Sequence, residues 1–169
     1  MNSTPTAYTP FQKFFQIAYV SNDFDRALGV FRERYGITRF FEMRDVPMQV
    51  GPDDCCRVSV GLVWVGSIQL ELITPMGGSD AVYRDLLPAD GSRFALRMHH
   101  VCQRIDSNAE FDATLAAIEQ SGARIAAIGE APGLVRYVYV DQREVLGHYL
   151  EHTFYTKEGL EMHAAVPRI

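Results

Sequence analysis

The sequence predicts an α+β fold: two tandem βαβββ modules forming one cup-shaped sheet, mixed but mostly antiparallel, with helices outside. Three observations lead to it. A strand-like segment followed by a helix-like one occurs twice, Gln16 to Val20 before Asp23 to Tyr35, and His100 to Ile105 before Glu110 to Gln120. Each copy later carries an apolar strand with a single acid inside it, Ile68 to Ile73 around Glu71 and His148 to His152 around Glu151. The intervals match as well: Gln16 to Glu71 spans 55 residues and His100 to Glu151 spans 51. Small repeats of this kind cannot bury their apolar faces alone, so the two must share a core.

Each element has a local cause. Phe14 to Val20 is rich in aromatic and branched residues and reads as a strand. Ser21-Asn22-Asp23 starts a helix whose apolar positions Phe24, Ala27, Leu28, Phe31 and Tyr35 fall on one face, and Gly36 closes it. Ile37 to Glu42 reads as a short strand, and Val46 to Asp54, with Pro47, Gly51 and Pro52, as a polar loop. Arg57 to Val65 and Ser67 to Thr74 read as a hairpin around Gly66. Ser79 to Leu87 is a candidate short helix within a connector. In the second copy Ser107 and Glu110 have capping-box spacing ahead of the stripe Phe111, Leu115 and Ile118, and Gly122 ends that helix. Strands follow at Arg124 to Ile128, Leu134 to Val140 and Val145 to Phe154. The expected divisions are a flexible arm over 1–12, the first module over 13–75, a connector over 76–97, the second module over 98–156 and a C-terminal tail over 157–169.

Composition narrows the function classes. The chain is 47% apolar and 22% charged with a formal net charge of −5 and scattered basic residues, which argues against a nucleic-acid partner. Apolar runs are strand-sized, too short for a bilayer-spanning helix. Cys55, Cys56 and Cys102, an odd count with an adjacent pair, make a poor disulfide framework and read as reduced thiols of a cytoplasmic protein.

Side chains on a strand alternate faces. Gln16 then groups with Ala18 and Val20, Glu71 with Gln69 and Ile73, His100 with Cys102 and Arg104, and Glu151 with Tyr149 and Thr153. If these faces line one curved sheet, its concave side holds Gln16, Glu71, His100 and Glu151, with Gln69, Arg104 and Tyr149 nearby. His99 falls on the opposite side. Two carboxylates in one such cup are costly unless a cation or a proton neutralises them. An arginine at 104 is placed to hold a carboxylate or phosphate by a fork of hydrogen bonds.

Over about residues 13 to 156 the chain resembles the vicinal oxygen chelate superfamily, which includes glyoxalases, bleomycin-resistance proteins and extradiol dioxygenases. The resemblance rests on Gln16-Ile-Ala-Tyr-Val-Ser-Asn-Asp-Phe-Asp-Arg-Ala27, Gln69-Leu-Glu-Leu-Ile-Thr-Pro75, Met98-His-His-Val-Cys102 and Gly147-His-Tyr-Leu-Glu151, and is nearest in flavour to the methylmalonyl-CoA epimerase-like branch. It implies metal ligands at Gln16, Glu71, His100 and Glu151. Gln16 departs from the His usual in the epimerases; one Gln, one His and two Glu instead resemble the zinc ligand set of animal glyoxalase I. Such an N/O set suits Zn, Ni, Co, Mn or Mg. The implied chemistry moves a proton α to a carbonyl through a metal-stabilised enediolate, in an isomerase, epimerase or lyase, with Glu151 as base. The epimerases' further glutamate falls at Cys55, leaving neighbouring Asp54 as its candidate replacement. The implied substrate is a small carbonyl, thioester or aromatic compound, and the implied assembly a homodimer.

Three other readings compete. One is a metal-free module of the same fold that sequesters a small ligand. Another is an extradiol-type dioxygenase, whose iron site wants two His and one carboxylate, where Gln16 removes a His. The third is a protease, since His148-Tyr-Leu-Glu151-His152 matches the H-x-x-E-H pattern; that motif works only on a helix, and this segment alternates as a strand.

Overall fold

The computed structural model describes residues 11–89, 91 and 93–169. Most of the expected N-terminal arm (1–10) lies outside the described residues. The chain runs β1 (Phe14–Ser21), α1 (Phe24–Tyr35), β2 (Phe41–Gln49), β3 (Cys55–Val65), β4 (Ile68–Gly78), α2 (Ala81–Arg84), β5 (Leu96–Ile105), α3 (Asn108–Ser121), β6 (Ile125–Ala131), β7 (Val135–Gln142), α4 (Arg143–Leu146), β8 (His148–Tyr155) and α5 (Lys157–Ala164). Strand, helix, three strands thus occurs twice. The sheet goes further than a cup: it closes as a barrel in the order β1-β4-β3-β2-β6-β7-β8-β5.

The two copies join through β1 and β5, which pair antiparallel, while β1–β4 and β5–β8 are parallel pairs. Registers match across the repeat: Gln16 lies opposite Gln69 as His100 lies opposite Tyr149, and Ala18 opposite Glu71 as Cys102 opposite Glu151. On the far side closure is slender. β2 and β6 meet only at Gln49 and Glu130, supported by the Tyr137 hydroxyl donating to the Gln49 carbonyl at 2.6 Å.

Both long helices start and stop where the residues dictate. Asp23 accepts from the Arg26 amide and Gly36 ends α1 at φ 71°; Ser107 accepts from the Glu110 amide and Gly122 ends α3 at φ 72°. Phe24, Ala27, Leu28 and Phe31 of α1 pack on Val63 and Leu72, while Phe111 and Ile118 of α3 pack on Val138, Val140 and Leu150. A third cluster fills the barrel, including Val58, Val60, Tyr83, Tyr137 and Tyr139.

Several boundaries differ from expectation. The residues read as a loop over Val46 to Asp54 extend a strand through Gln49, because a bulge between Met43 and Val46, with Asp45 at φ 53°, breaks the alternation. Pro47 is tolerated there because β6 touches β2 only at its end. The last strand starts at His148 rather than Val145, since Arg143–Leu146 makes one helical turn closed by Gly147 at φ 79°. The helix expected over Ser79 to Leu87 shortens to Ala81–Arg84, and β4 runs on to Gly78.

The tail is an integral part. Thr156 caps α5, and the final residues lie along the end of β3, with the Trp64 amide donating to Pro167 O at 2.8 Å and the Ile169 amide to Trp64 O at 2.9 Å. α2 follows the end of β4 and α5 the end of β8. Those strands run in opposite directions, so the two helices sit at opposite ends of the barrel.

Gly129 is what allows the β2–β6 seam. A Cβ there would lie 1.8 Å from Gln49 O and 2.7 Å from the Tyr137 hydroxyl. Gly129→Ala is therefore expected to force β2 from β6 and destabilise the protein by about 1–3 kcal/mol, read as a fall in thermal midpoint with faster amide exchange confined to β2 and β6. An unchanged midpoint would refute the seam's role.

Candidate active site inside the barrel

Four adjacent strands, β4, β1, β5 and β8, supply the site. Gln16, Glu71, His100 and Glu151 converge as strand parity predicts, and His100 is the hub. Its Nε2 lies 3.0 Å from Glu151 Oε2, 3.3 Å from Glu71 Oε2 and 3.3 Å from Gln16 Oε1. Burial works against charge on His100, but the two carboxylates prevail and raise it to about 9. Burial lifts Glu71 above the usual carboxylate range despite the neighbouring imidazolium. Burial pushes Glu151 the same way, yet His100, Cys102 and Thr153 together hold it below that range. One fold thus pushes two carboxyls apart, the usual means of dividing acid and base roles.

A buried polar path runs from the site to both helical plugs. On one side His100 Nδ1 meets His99 Nδ1 at 2.7 Å, and His99 Nε2 meets the Val82 carbonyl of α2 at 3.1 Å. A carbonyl only accepts, so His99 Nε2 carries a hydrogen; burial, its first cause, keeps His99 neutral, and its Nδ1 accepts from His100. His100 Nε2 is thereby left as the nitrogen facing Gln16 and the carboxylates. On the other side Gln16 Nε2 donates to Gln69 Oε1 at 2.7 Å, and Gln69 Nε2 lies 2.9 Å from His163 Nε2 on α5.

His99 corrects an expectation. It does not face away from the cup; it is fully buried, stacked on Tyr83 with ring centroids 5.1 Å apart. The cause is a bulge: Ala18 pairs with His100 while Tyr19 pairs with Met98, so His99 is the extra residue and both histidines turn inward. Simple alternation has no means of anticipating this. His163 and Tyr83 were also missed, one on a tail and one on a connector that the repeat leaves unexplained.

The remaining expected site residues divide. Gln69 is buried beside Gln16, and Tyr149 is buried against His99 with the Arg143 guanidinium 4.7 Å above its ring. Arg104 is exposed at the α5 end, 3.8 Å from Asp106. Asp54 is exposed and accepts from the Ser79 hydroxyl at 2.8 Å. Neither joins the cluster.

A cavity of about 60 Å³ adjoins the cluster, lined by Gln16, Glu71, Glu151, Tyr137, Thr153 and Tyr155 among others, and by no lysine or arginine among the described residues. Burial first of all raises the phenols of Tyr83, Tyr137, Tyr139 and Tyr155, so they stay protonated donors. A larger apolar groove of about 660 Å³ lies outside, on β1 and β4 beside α1, and no Asp, Glu or His lines it among the described residues.

The donor types, two carboxylates, an imidazole and a carboxamide, are ones that suit a divalent ion. Metal bonds of about 2.0–2.2 Å put neighbouring ligand atoms roughly 3 Å apart, which is the spacing around His100 Nε2. Among the described residues no group of three or more His, Cys, Asp or Glu side chains is disposed to hold a metal ion as it stands. The donors close on one another through a proton on His100, the place a cation would share. Cys55, Cys56 and Cys102 are free thiols, and of the three Cys102 touches this set, through its hydrogen bond with Glu151. Among the described residues no helix is long and apolar enough to cross a membrane.

Comparison with curated proteins by sequence gave no match. Among solved structures, methylmalonyl-CoA epimerase from Streptomyces coelicolor, bound to 2-nitronate-propionyl-CoA, is similar at 18% identity and TM-score 0.59, over 86% of this chain and 95% of that one. The Mycobacterium tuberculosis methylmalonyl-CoA epimerase is similar at 13% identity and TM-score 0.56, over 94% and 97%. At such identities the likeness is one of fold. A family model spans residues 15–139, from the first strand of one copy to the seventh strand of the barrel, and the chain belongs to the Glyoxalase/Bleomycin resistance protein/Dioxygenase superfamily.

Proposed function

We propose that the protein is a metal-dependent isomerase, epimerase or lyase that moves a proton α to a carbonyl of a small molecule. The observation that carries this reading is the convergence of Gln16, Glu71, Glu151 and His100 within 3.3 Å of one nitrogen. A divalent ion held by these four would supply Lewis acidity for negative charge developing on a carbonyl oxygen. Glu151, kept ionised, takes the proton and returns it. The protonated phenols of Tyr139 and Tyr155 are placed to donate to substrate oxygens, while that of Tyr137 is committed to Gln49 O. With Asp54 on the surface, the geometry favours one base over two-base epimerisation.

Size and charge narrow the substrate. At ~10–15 Å³ per water-sized group, the cavity takes roughly five such groups, so only a reacting head enters. No basic residue lines it, which favours an uncharged head such as a hydroxy ketone, hemithioacetal or thioester. Arg104, at the α5 end, would meet only a group outside. A second reading has its own support: a proton alone on His100 satisfies both carboxylates, as a metal-free binding protein of this fold would require. Ligand binding indifferent to chelator would establish that alternative.

Titration of chelator-treated protein with Zn, Co, Ni or Mn should raise its thermal midpoint by an amount equivalent to about 2.7 kcal/mol at a hundredfold excess over Kd. Glu71→Gln should abolish that rise. With substrate heads of the classes above, solvent deuterium should enter α to the carbonyl, and Glu151→Gln should slow exchange by about 10²–10⁴-fold. A wild-type protein indifferent to every ion would sink the reading.

The proton on His100 sets the pH behaviour of metal uptake. His100 holds it up to about pH 9, and an ion must displace it. Affinity should therefore fall by about tenfold per pH unit as pH drops from 9 toward neutrality, with one proton released per ion. Calorimetry in buffers of different ionisation enthalpy measures that release; uptake without it would refute the assignment of His100.

A further inference from the structure

Gln16 differs from the other three donors because a carboxamide has a wrong end. Its oxygen can ligate a cation; its NH₂ group cannot. Which end faces the site is a question of hydrogen bonding, and the strand that carries Gln16 does not decide it.

We propose that the C-terminal helix α5, through His163 and Gln69, is a built part of the metal site: it holds the Gln16 carboxamide with its oxygen toward His100 and the two glutamates. The inference rests on the metal-binding reading above. His163 is buried, its ring packed among Phe15, Trp64 and Tyr155 with centroids 6.0, 5.7 and 4.4 Å away. Its Nε2 touches both ends of the Gln69 amide, Nε2 at 2.9 Å and Oε1 at 3.1 Å, and so anchors that side chain. Gln69 is fully buried and presents Oε1 to Gln16 Nε2 at 2.7 Å. With its NH₂ engaged there, Gln16 leaves Oε1 to face His100 Nε2 at 3.3 Å.

The chain of donors is consistent from both ends. In this arrangement His163 takes the tautomer with a bare Nε2: His100 Nε2–H then finds an oxygen, Gln16 NH₂ finds an oxygen, and Gln69 NH₂ finds the imidazole lone pair. Reversing Gln16 would set donor against donor at His100 and acceptor against acceptor at Gln69. The tail is fixed well enough to exert this control. Thr156 donates to Gly133 O at 2.8 Å, and Gly159 lies so close to Leu134 that a Cβ would stand 2.1 Å from its carbonyl oxygen. His163 and Gln69 are positioning residues, acting through Gln16.

The test compares two backgrounds. A carboxylate has no wrong end, so Gln16→Glu makes the orienting device unnecessary. His163→Leu, which keeps an apolar filling among the three rings, should weaken Co²⁺ and Zn²⁺ binding about tenfold or more in the wild-type background, and should shift the visible spectrum of bound Co²⁺ as an oxygen ligand is lost. In the Gln16→Glu background the same change should leave affinity and spectrum unaltered. Should His163→Leu fail to fold, Gln69→Leu serves the same comparison, and Gln69→Glu, which keeps the acceptor, should retain binding. Equal losses in both backgrounds would show a merely structural helix and overturn the inference. So would wild-type metal binding that His163→Leu leaves unchanged. Wild-type protein that binds neither ion would overturn the metal reading as well.

Discussion

Everything inside this barrel depends on one imidazole. Two carboxylates in a closed, aromatic-lined interior would each cost several kcal/mol of lost hydration if left unpaired. His100 is the group that makes them tolerable, because it can carry a positive charge and touches both. Its other nitrogen is held by His99, which in turn is held by the main chain of α2. The amide of Gln16 completes the surround and is itself secured from α5. The two short elements that stopper the barrel are therefore tied chemically to its centre.

This chain places polar residues on matched strands of its duplicated unit. The parallel pairs β1–β4 and β5–β8 set Gln16 over Gln69 and His100 over Tyr149, and put the two glutamates two residues further on. Around the site stand a second histidine brought in by a bulge, a lining of tyrosine hydroxyls, and a helical tail at one end.

The legible part was the part that obeys a period. Strand alternation and the repeat are enough to group Gln16, Glu71, His100 and Glu151, because each lies in a stretch where the pairing is regular, and β1 and β5 lose their register only beyond Gln16 and His100. The illegible part consists of departures from regularity. One extra residue between Met98 and His100 reverses the side on which His99 stands. Asp45 at positive φ disguises a strand as a loop. His163 belongs to no repeat, so nothing marks it as a neighbour of Gln69 except the fold itself. Arg104 obeys the alternation but sits at the barrel's rim, where inward parity no longer means enclosure.

The slender β2–β6 contact has a mechanical meaning. A ring of eight strands joined by seven ladders and one single bridge is less a barrel than a clasp. Its spine is β4-β1-β5-β8, the four strands that bear the donors, and its catch lies across the ring. The catch is the weakest joint of the ring, held by one bridge and one tyrosine hydrogen bond, and is where strain is expected to be released first. The clasp can part there while the spine, and the geometry of the four donors on it, stays whole.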